Sequence, residues 1–406
     1  MTRSHDVVVY GATGFTGRLV AEVLLQQQSN KPGLRWALAG RSLDKLAAVR
    51  TEIGAPASLP LITADASDAA AMQRLAASTR VVITTVGPYQ QHGQALVTAC
   101  AEAGTDYVDL CGEPLWMAQM IDQLQAPAQA SGARIVFSCG FDSIPFDLGV
   151  VFFQQQALQR FGAPVRHVHG RVRRMKGGLS GGTAASALAT FASAAADKAQ
   201  ARLLADPFAL TPGFEGPPQP DGEGAAYDAL ARCWTGPFVM ATINTKNVHR
   251  SNALRGHPWG RDFQYDERLM TGRGATGALA AQALATVTWM QSLVMGLAPG
   301  RHLLQRLVLP APGQGPSANA RRRGHFDLRF FGQSSDGQTL EVAVTGDRDP
   351  GYGATSRMIS QAALCLLQDI DRDATPGGVW TAGSAMGLAL RRRLEAHAGM
   401  RFEVVD

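Results

Sequence analysis

The stretch Val7-Val-Val-Tyr-Gly-Ala-Thr-Gly-Phe-Thr-Gly-Arg-Leu-Val20 decides the fold. Val7, Val8 and Val9 are β-branched and suit a short buried strand. From Gly17 onward the apolar residues fall at Leu19, Val20, Val23 and Leu24, the spacing of an amphipathic helix. Gly11, Gly14 and Gly17 stand at the junction. Glycine tolerates a positive φ and lets a ligand come close to the backbone. The helix that follows aims its free N–H groups and positive dipole end at the loop, where a phosphate is well held. Strand, glycine loop and helix in this order point to a dinucleotide. For the glycines alone, a plain tight turn is the alternative.

Working outward, apolar strands alternate with helical stretches through the first 145 residues. Strands are expected at Asp6–Tyr10, Trp36–Gly40, Leu59–Ala64, Val81–Val86, Tyr107–Leu110 and Ile135–Cys139. That rhythm predicts a doubly wound parallel sheet of the Rossmann type. Beyond Asp147 the texture changes to charged, alternating stretches: Val165–Met175, Phe238–Val248, Arg261–Met270, His325–Phe331 and Thr339–Val344. Alternation of this kind predicts an antiparallel sheet with one polar face. Two long helices, about Thr183–Ala205 and Thr276–Gly296, are expected to pack on it, and loops at Pro207–Gly224 and Pro310–Ser317. The chain is therefore expected to divide into residues 1–147, a dinucleotide-binding Rossmann domain; 148–350, an inserted α+β domain for substrate and dimerisation; and 351–406, returning to the first domain. One face of the central sheet has no evident cover, so a homodimer through residues 165–345 is expected.

The 406 residues carry a formal charge of +5, almost all of the positive charge being arginine. Arg171-Val-Arg-Arg174, Arg321-Arg-Arg323 and Arg391-Arg-Arg393 are short and scattered, without interleaved aromatics. They read as solvated faces rather than a nucleic-acid groove. Five cysteines without a CxxC pair suggest neither a disulfide framework nor a zinc site. His167 and His169 share one face of a strand but have no third ligand near them in sequence. No metal site is expected. The amino-terminal residues run straight into the first strand, and a reducing cytoplasm is the expected setting.

Strand ends supply the candidate site. The loop offers Gly11, Ala12, Thr13, Gly14, Phe15, Thr16 and Gly17. The second strand ends on Arg41 and Ser42, where a site for a plain ribose would carry an acid. A guanidinium pairs with a 2′-phosphate, which favours NADP(H). Asp65 follows the third strand and could meet the adenine; Gly87 and Pro88 follow the fourth, where small residues admit the pyrophosphate and ribose. None of the six tyrosines has a lysine four residues on, so the Tyr-x-x-x-Lys chemistry of short-chain dehydrogenases is excluded. By position, Tyr89, Glu113 and Asp142 are the candidates for a proton donor. Asp142 could equally cap the helix that begins at Ser143 or Ile144.

Tyr10-Gly-Ala-Thr-Gly-Phe-Thr-Gly17, Gly40-Arg41, Val86-Gly-Pro-Tyr89, Tyr107-Val-Asp-Leu-Cys-Gly-Glu113 and Gly140-Phe-Asp-Ser-Ile-Pro145 resemble the saccharopine dehydrogenase-like oxidoreductases. Ser180-Gly-Gly-Thr183, Arg250-Ser-Asn252 and Gly351-Tyr-Gly-Ala-Thr355 extend the resemblance toward the bacterial branch with the trans-acting enoyl reductases. It implies NADP(H), the cofactor roles of Gly11, Gly14, Gly17 and Arg41, and a small-molecule or carrier-bound acyl substrate, such as an enoyl thioester. It brings no assigned proton donor. Two other readings stay open: a regulator that binds NADP(H) without turnover, and a semialdehyde dehydrogenase with Cys139 as nucleophile.

Gly177–Ala196 and Gly274–Gly300 carry no charge. Their composition suits buried core helices; a wall for an acyl chain is the sharper alternative. Ala275–Pro299 is long enough for a membrane span, but Gln282, Gln291, Ser292 and several threonines dilute it. The expectation is a soluble protein in which Trp289, Leu293, Val294 and Met295 line an apolar substrate wall. That end could also make peripheral contact with a membrane.

Overall fold

The computed structural model describes residues 3–30, 33–177, 181–296 and 315–405. Seven parallel strands form the first sheet: β1 (His5–Tyr10), β2 (Trp36–Gly40), β3 (Leu61–Thr63), β4 (Thr79–Thr84), β5 (Asp106–Val108), β6 (Arg134–Val136) and β13 (Gly378–Trp380). Their order is β13-β6-β5-β4-β1-β2-β3, so the chain reverses direction across the sheet between β1 and β4. Ligands bind such sheets at the carboxyl ends of the strands beside that reversal. Val7, Val8, Val9, Val81, Val82 and Ile83 are fully buried, which is why both central strands read as unbroken apolar runs.

The second sheet runs β14 (Met400–Val405), β12 (Thr339–Gly346), β11 (His325–Gln333), β7 (His167–Lys176), β10 (Gln264–Gly272), β9 (Cys233–Pro237) and β8 (Ala226–Asp228). It is mixed rather than antiparallel, because β7 and β10 pair in parallel. Alternating side chains look the same in either strand direction, so the pattern could not reveal this. The helix Ile144–Phe161 joins the two sheets and is buried along most of its length. Gly149 makes the close approach possible: a Cβ there would lie 2.3 Å from the ring of Phe330 on β11.

Four other expectations are corrected. Phe238–Val248 is not a strand; the chain forms a helix, Ala241–Leu254, whose Asn244, Asn247 and Ser251 face inward at helical spacing. The stretch Thr183–Ala205 is two helices, Gly181–Ala196 and Lys198–Ala205, broken at Asp197, whose carboxylate accepts from Ala199 N and caps the second. The carboxyl-terminal segment serves both sheets: β13 extends the first, whereas the last strand, β14, pairs with β12 in the second. Finally, Gly274–Gly296 is helical but outward-facing, with only Gly277, Ala281, Ala285 and Met295 buried. Ser180 and most of the expected loop at Pro310–Ser317 lie outside the described residues.

Candidate active site

The glycine loop is wound as its sequence requires. Gly11 sits at φ +86°, and a Cβ added to it would lie 2.6 Å from Val86 Cγ2. A Cβ on Gly17 would fall 2.1 Å from the Gly11 carbonyl oxygen. The loop is held to β2 by hydrogen bonds from Gly11 N and Ala12 N to Ala39 O, at 3.0 and 3.2 Å. It ends at the helix Phe15–Asn30, whose first N–H groups have no intrahelical acceptor. A cradle of tightly packed glycines at a helix start fits a dinucleotide pyrophosphate. Ala12 is buried and Thr13 and Thr16 are half-buried beside it. Phe15 has another partner: its ring meets Tyr352 edge-on at 4.9 Å, with Arg18 and Arg321 over it.

Arg41 is exposed at the end of β2, with the Asp65 carboxylate close enough to feel its charge. Ser42 caps the helix Leu43–Glu52 by accepting from Lys45 N. Asp65 Oδ1 accepts from Ser67 N and Ser67 Oγ, at 2.9 and 2.8 Å, and these bonds hold its carboxyl below the usual range. These residues rim the expected place of a 2′-phosphate and adenine. Gly87 and Pro88 lead from β4 into the short helix Tyr89–His92.

The three acid candidates separate sharply. Tyr89 is buried, its hydroxyl donates to Thr84 O at 3.3 Å, and it accepts from Leu110 N at 3.0 Å. Burial and the nearby Asp109 push the phenol well above its ordinary range. It braces two strand ends. Glu113 accepts from Tyr89 N (2.7 Å), Gln90 N (2.9 Å) and Ser186 Oγ (2.6 Å). It is an acceptor throughout, tying the short helix and Gly181–Ala196 to the end of β5.

Asp142 differs from both. Ser143, not Asp142, occupies the cap position of Ile144–Phe161, and no side chain caps that helix. Asp142 Oδ1 is buried without a hydrogen-bond partner among the described residues, although the residue as a whole is partly accessible. Burial pushes its carboxyl up to about 7. Around it lie groups that sequence reasoning missed. Asn247 Nδ2 donates to Ser143 Oγ at 2.9 Å. Glu267 of β10 accepts from Asn244 Nδ2 at 2.8 Å and from Tyr265 OH at 2.9 Å. Glu267 is held well above the carboxylate range by burial and further by Asp142. Asn244 Oδ1 also lacks a partner among the described residues. The missed signal was the inward stripe Asn244, Asn247, Ser251, hidden in a stretch read as alternating.

Other motif residues are structural ties. Asp109 accepts from Cys111 N, Ser138 N and Tyr107 OH, knotting the ends of β5 and β6. Thr355 Oγ1 accepts from Phe141 N at 3.0 Å, which brings the segment Pro350–Thr355 against the β6 loop. Ser251 donates to Asp147, and Arg250 donates to Leu210 O and Val379 O. Cys139 is fully buried and its thiol is pushed well up by burial, the opposite of an activated nucleophile. That removes the basis for the semialdehyde dehydrogenase reading. Trp289, Leu293 and Val294 face outward rather than lining a substrate wall; Met295 is buried.

The histidine pair does acquire carboxylate neighbours across the second sheet. His167 Nε2 lies 3.1 Å from Asp266 Oδ1, and His169 Nδ1 lies 2.9 Å from Asp228 Oδ2. His167, His169 and Asp266 could together reach one ion. Arg171, however, already bridges Asp228 and Asp266 at 2.6 and 2.8 Å, and its fixed positive charge opposes a cation there.

Residues 7–136 match the family model of the saccharopine dehydrogenase NADP-binding domain. A Mycobacterium tuberculosis protein, whose name as a trans-acting enoyl reductase is provisional, is 42% identical over 97% of this chain and 96% of its own length. A trans-acting enoyl reductase of Mycobacterium ulcerans is 37% identical over the same shares. Among solved structures, the apo saccharopine dehydrogenase (L-Glu forming) of Saccharomyces cerevisiae superimposes with a TM-score of 0.57 at 11% identity, covering 99% of this chain and all of that one. At that identity the likeness speaks for the fold alone.

Proposed function

The chain belongs to the saccharopine dehydrogenase-like oxidoreductases and binds NADP(H), and from that premise we propose that it reduces the carbon–carbon double bond of an enoyl thioester. The names of its relatives support the enoyl substrate. Held by the glycine loop, NADPH would supply a hydride for the β-carbon of the thioester, itself becoming NADP+. The chain's own part is to supply the proton for the α-carbon that leaves the acyl group saturated.

Asp142 is our proton donor. The observation that carries this reading is its buried, unpartnered Oδ1 on a carboxyl held near neutrality. A general acid works best when its pKa is close to the working pH. Glu267 and Asn244 are positioning residues: their hydrogen bond fixes a carboxyl, held neutral by burial, within electrostatic reach of Asp142. Tyr89 and Glu113 tie the strand ends and neighbouring helices together rather than moving protons.

The test is turnover of NADPH with trans-2-enoyl thioesters of graded chain length, with the product identified by mass spectrometry. A saturated thioester is expected. Tight NADPH binding without turnover of any enoyl or carbonyl substrate would instead leave a nucleotide-binding regulator.

A further inference from the structure

The helix Gly274–Gly296 has an unusual surface. Its amino-terminal half is bolted down: Gly277, Ala281 and Ala285 form the buried stripe, and Leu284 fits where Gly236 of β9 has no side chain. Thr271 Oγ1 fastens the first turn by donating to Gly277 O at 2.9 Å. Beyond Ala285 the burial stops until Met295. From Thr286 to Val294 every residue is exposed except half-buried Thr288. Val287, Trp289, Met290 and Leu293 are 60, 63, 55 and 51% exposed, and Leu279 further back is 71% exposed. No charged residue lies between Arg273 and Arg301 in the sequence.

We propose that the outward half of this helix anchors the protein to a phospholipid bilayer, dipping into the boundary between headgroups and acyl chains. Four observations favour lipid over another protein. Exposure runs around the helix rather than along one stripe, whereas a helix docking in a protein groove keeps a polar outer face. The hydroxyls are satisfied internally: Thr286 donates to Gln282 O and Thr288 to Leu284 O, both at 2.9 Å. Trp289 provides the amphipathic ring that favours a membrane interface. The segment that would enter the bilayer carries no charge, none lying between Arg273 and Arg301 in the sequence.

The geometry also sets the depth. The helix is long and apolar enough to cross a membrane, yet its packed half cannot leave the sheet. The outward stretch from Thr286 to Val294 spans about 14 Å, roughly half of a ~30 Å hydrocarbon core. Attachment is therefore to one leaflet. The same helix packs on Gly181–Ala196, whose Ser186 bonds Glu113, so it is in contact with the element that Glu113 ties to the end of β5.

Flotation of the full chain with vesicles of phosphatidylcholine and a minor fraction of phosphatidylglycerol tests this, independently of any substrate. The wild type is expected to float with the vesicles. The double variant Val287→Glu, Leu293→Glu should float at least about tenfold less, with thermal stability and NADPH affinity unchanged, since both sites are exposed. Failure of the wild type to float overturns the proposal, as does flotation that the double variant does not reduce. A lipid-free dimer that the double variant converts to monomer, read by light scattering, also overturns it and assigns the face to a second copy of the chain.

Discussion

Glu113 and Asp142 stand at the carboxyl ends of neighbouring strands, are both acids, and were equivalent candidates by position. Their surroundings make them opposites. Glu113 accepts three hydrogen bonds and is 1% exposed, whereas Asp142 keeps a buried oxygen with no partner among the described residues. A fully satisfied acid is a joint, and an unsatisfied one awaits a ligand or a proton. Position along a sheet edge therefore nominates residues, but the partner inventory distinguishes their roles.

The comparison breaks most visibly in turnover. Asp142→Asn should lower kcat about 10²- to 10⁴-fold while leaving NADPH affinity and folding intact. Glu113→Ala should act the other way, costing about 2–4 kcal/mol of stability because Tyr89 N, Gln90 N and Ser186 Oγ lose their acceptor. Chemical denaturation and single-turnover kinetics on both variants separate the effects. If Glu113→Gln abolishes turnover in a stably folded protein, the two roles are exchanged.

A smaller effect sharpens the contrast through pH. The Asp142 carboxyl, ordinarily near 3.8, is raised to about 7 in the folded protein. The folded state thus holds this proton more tightly than the unfolded one. Its contribution to stability is complete below about 3.8 and is lost as pH rises through about 7. Asp142→Asn should therefore become progressively more stable than the wild type between pH 4 and pH 7, and the gap should level off above that. In the wild type, kcat should fall above pH 7 as the donor ionises, on a limb that the variant lacks. A pH-independent stability difference would show that the carboxyl is not held neutral by burial.

Much of the cofactor half was legible because local rules decide it. The strands β1, β2 and β4 are buried on both faces and announce themselves as apolar runs, and the glycine spacing dictates the loop. The other half depends on contacts distant in sequence. β13 is three residues long and joins β6 some 240 positions after it, with no local signal. Asn247 meets Ser143, and Glu267 lies beside Asp142, only because the helix Ala241–Leu254 and β10 fold over the β6 loop. The two charge-free helices make the same point. Gly181–Ala196 packs toward Glu113, while Gly274–Gly296 turns most of its surface outward, and composition alone assigned both to the core.

The smallest effect concerns Arg41, the cofactor half's counterpart to Asp142. It too lacks a hydrogen-bond partner among the described residues, but it is exposed, and an exposed guanidinium is solvated whether or not a ligand is present. Its lack of a partner therefore says less than that of a buried group, and its removal should cost less. A 2′-phosphate met by Arg41 should make NADPH bind at least tenfold more tightly than NADH, about 1.4 kcal/mol. Arg41→Ala should erase most of that difference and leave NADH affinity nearly unchanged, because the glycine loop holds the pyrophosphate common to both. Calorimetric titration of the wild type and the variant with each cofactor decides it. Equal affinities in the wild type would mean that the rim formed by Arg41, Ser42 and Asp65 does not read the phosphate, and discrimination would have to lie elsewhere on the β2 and β3 ends.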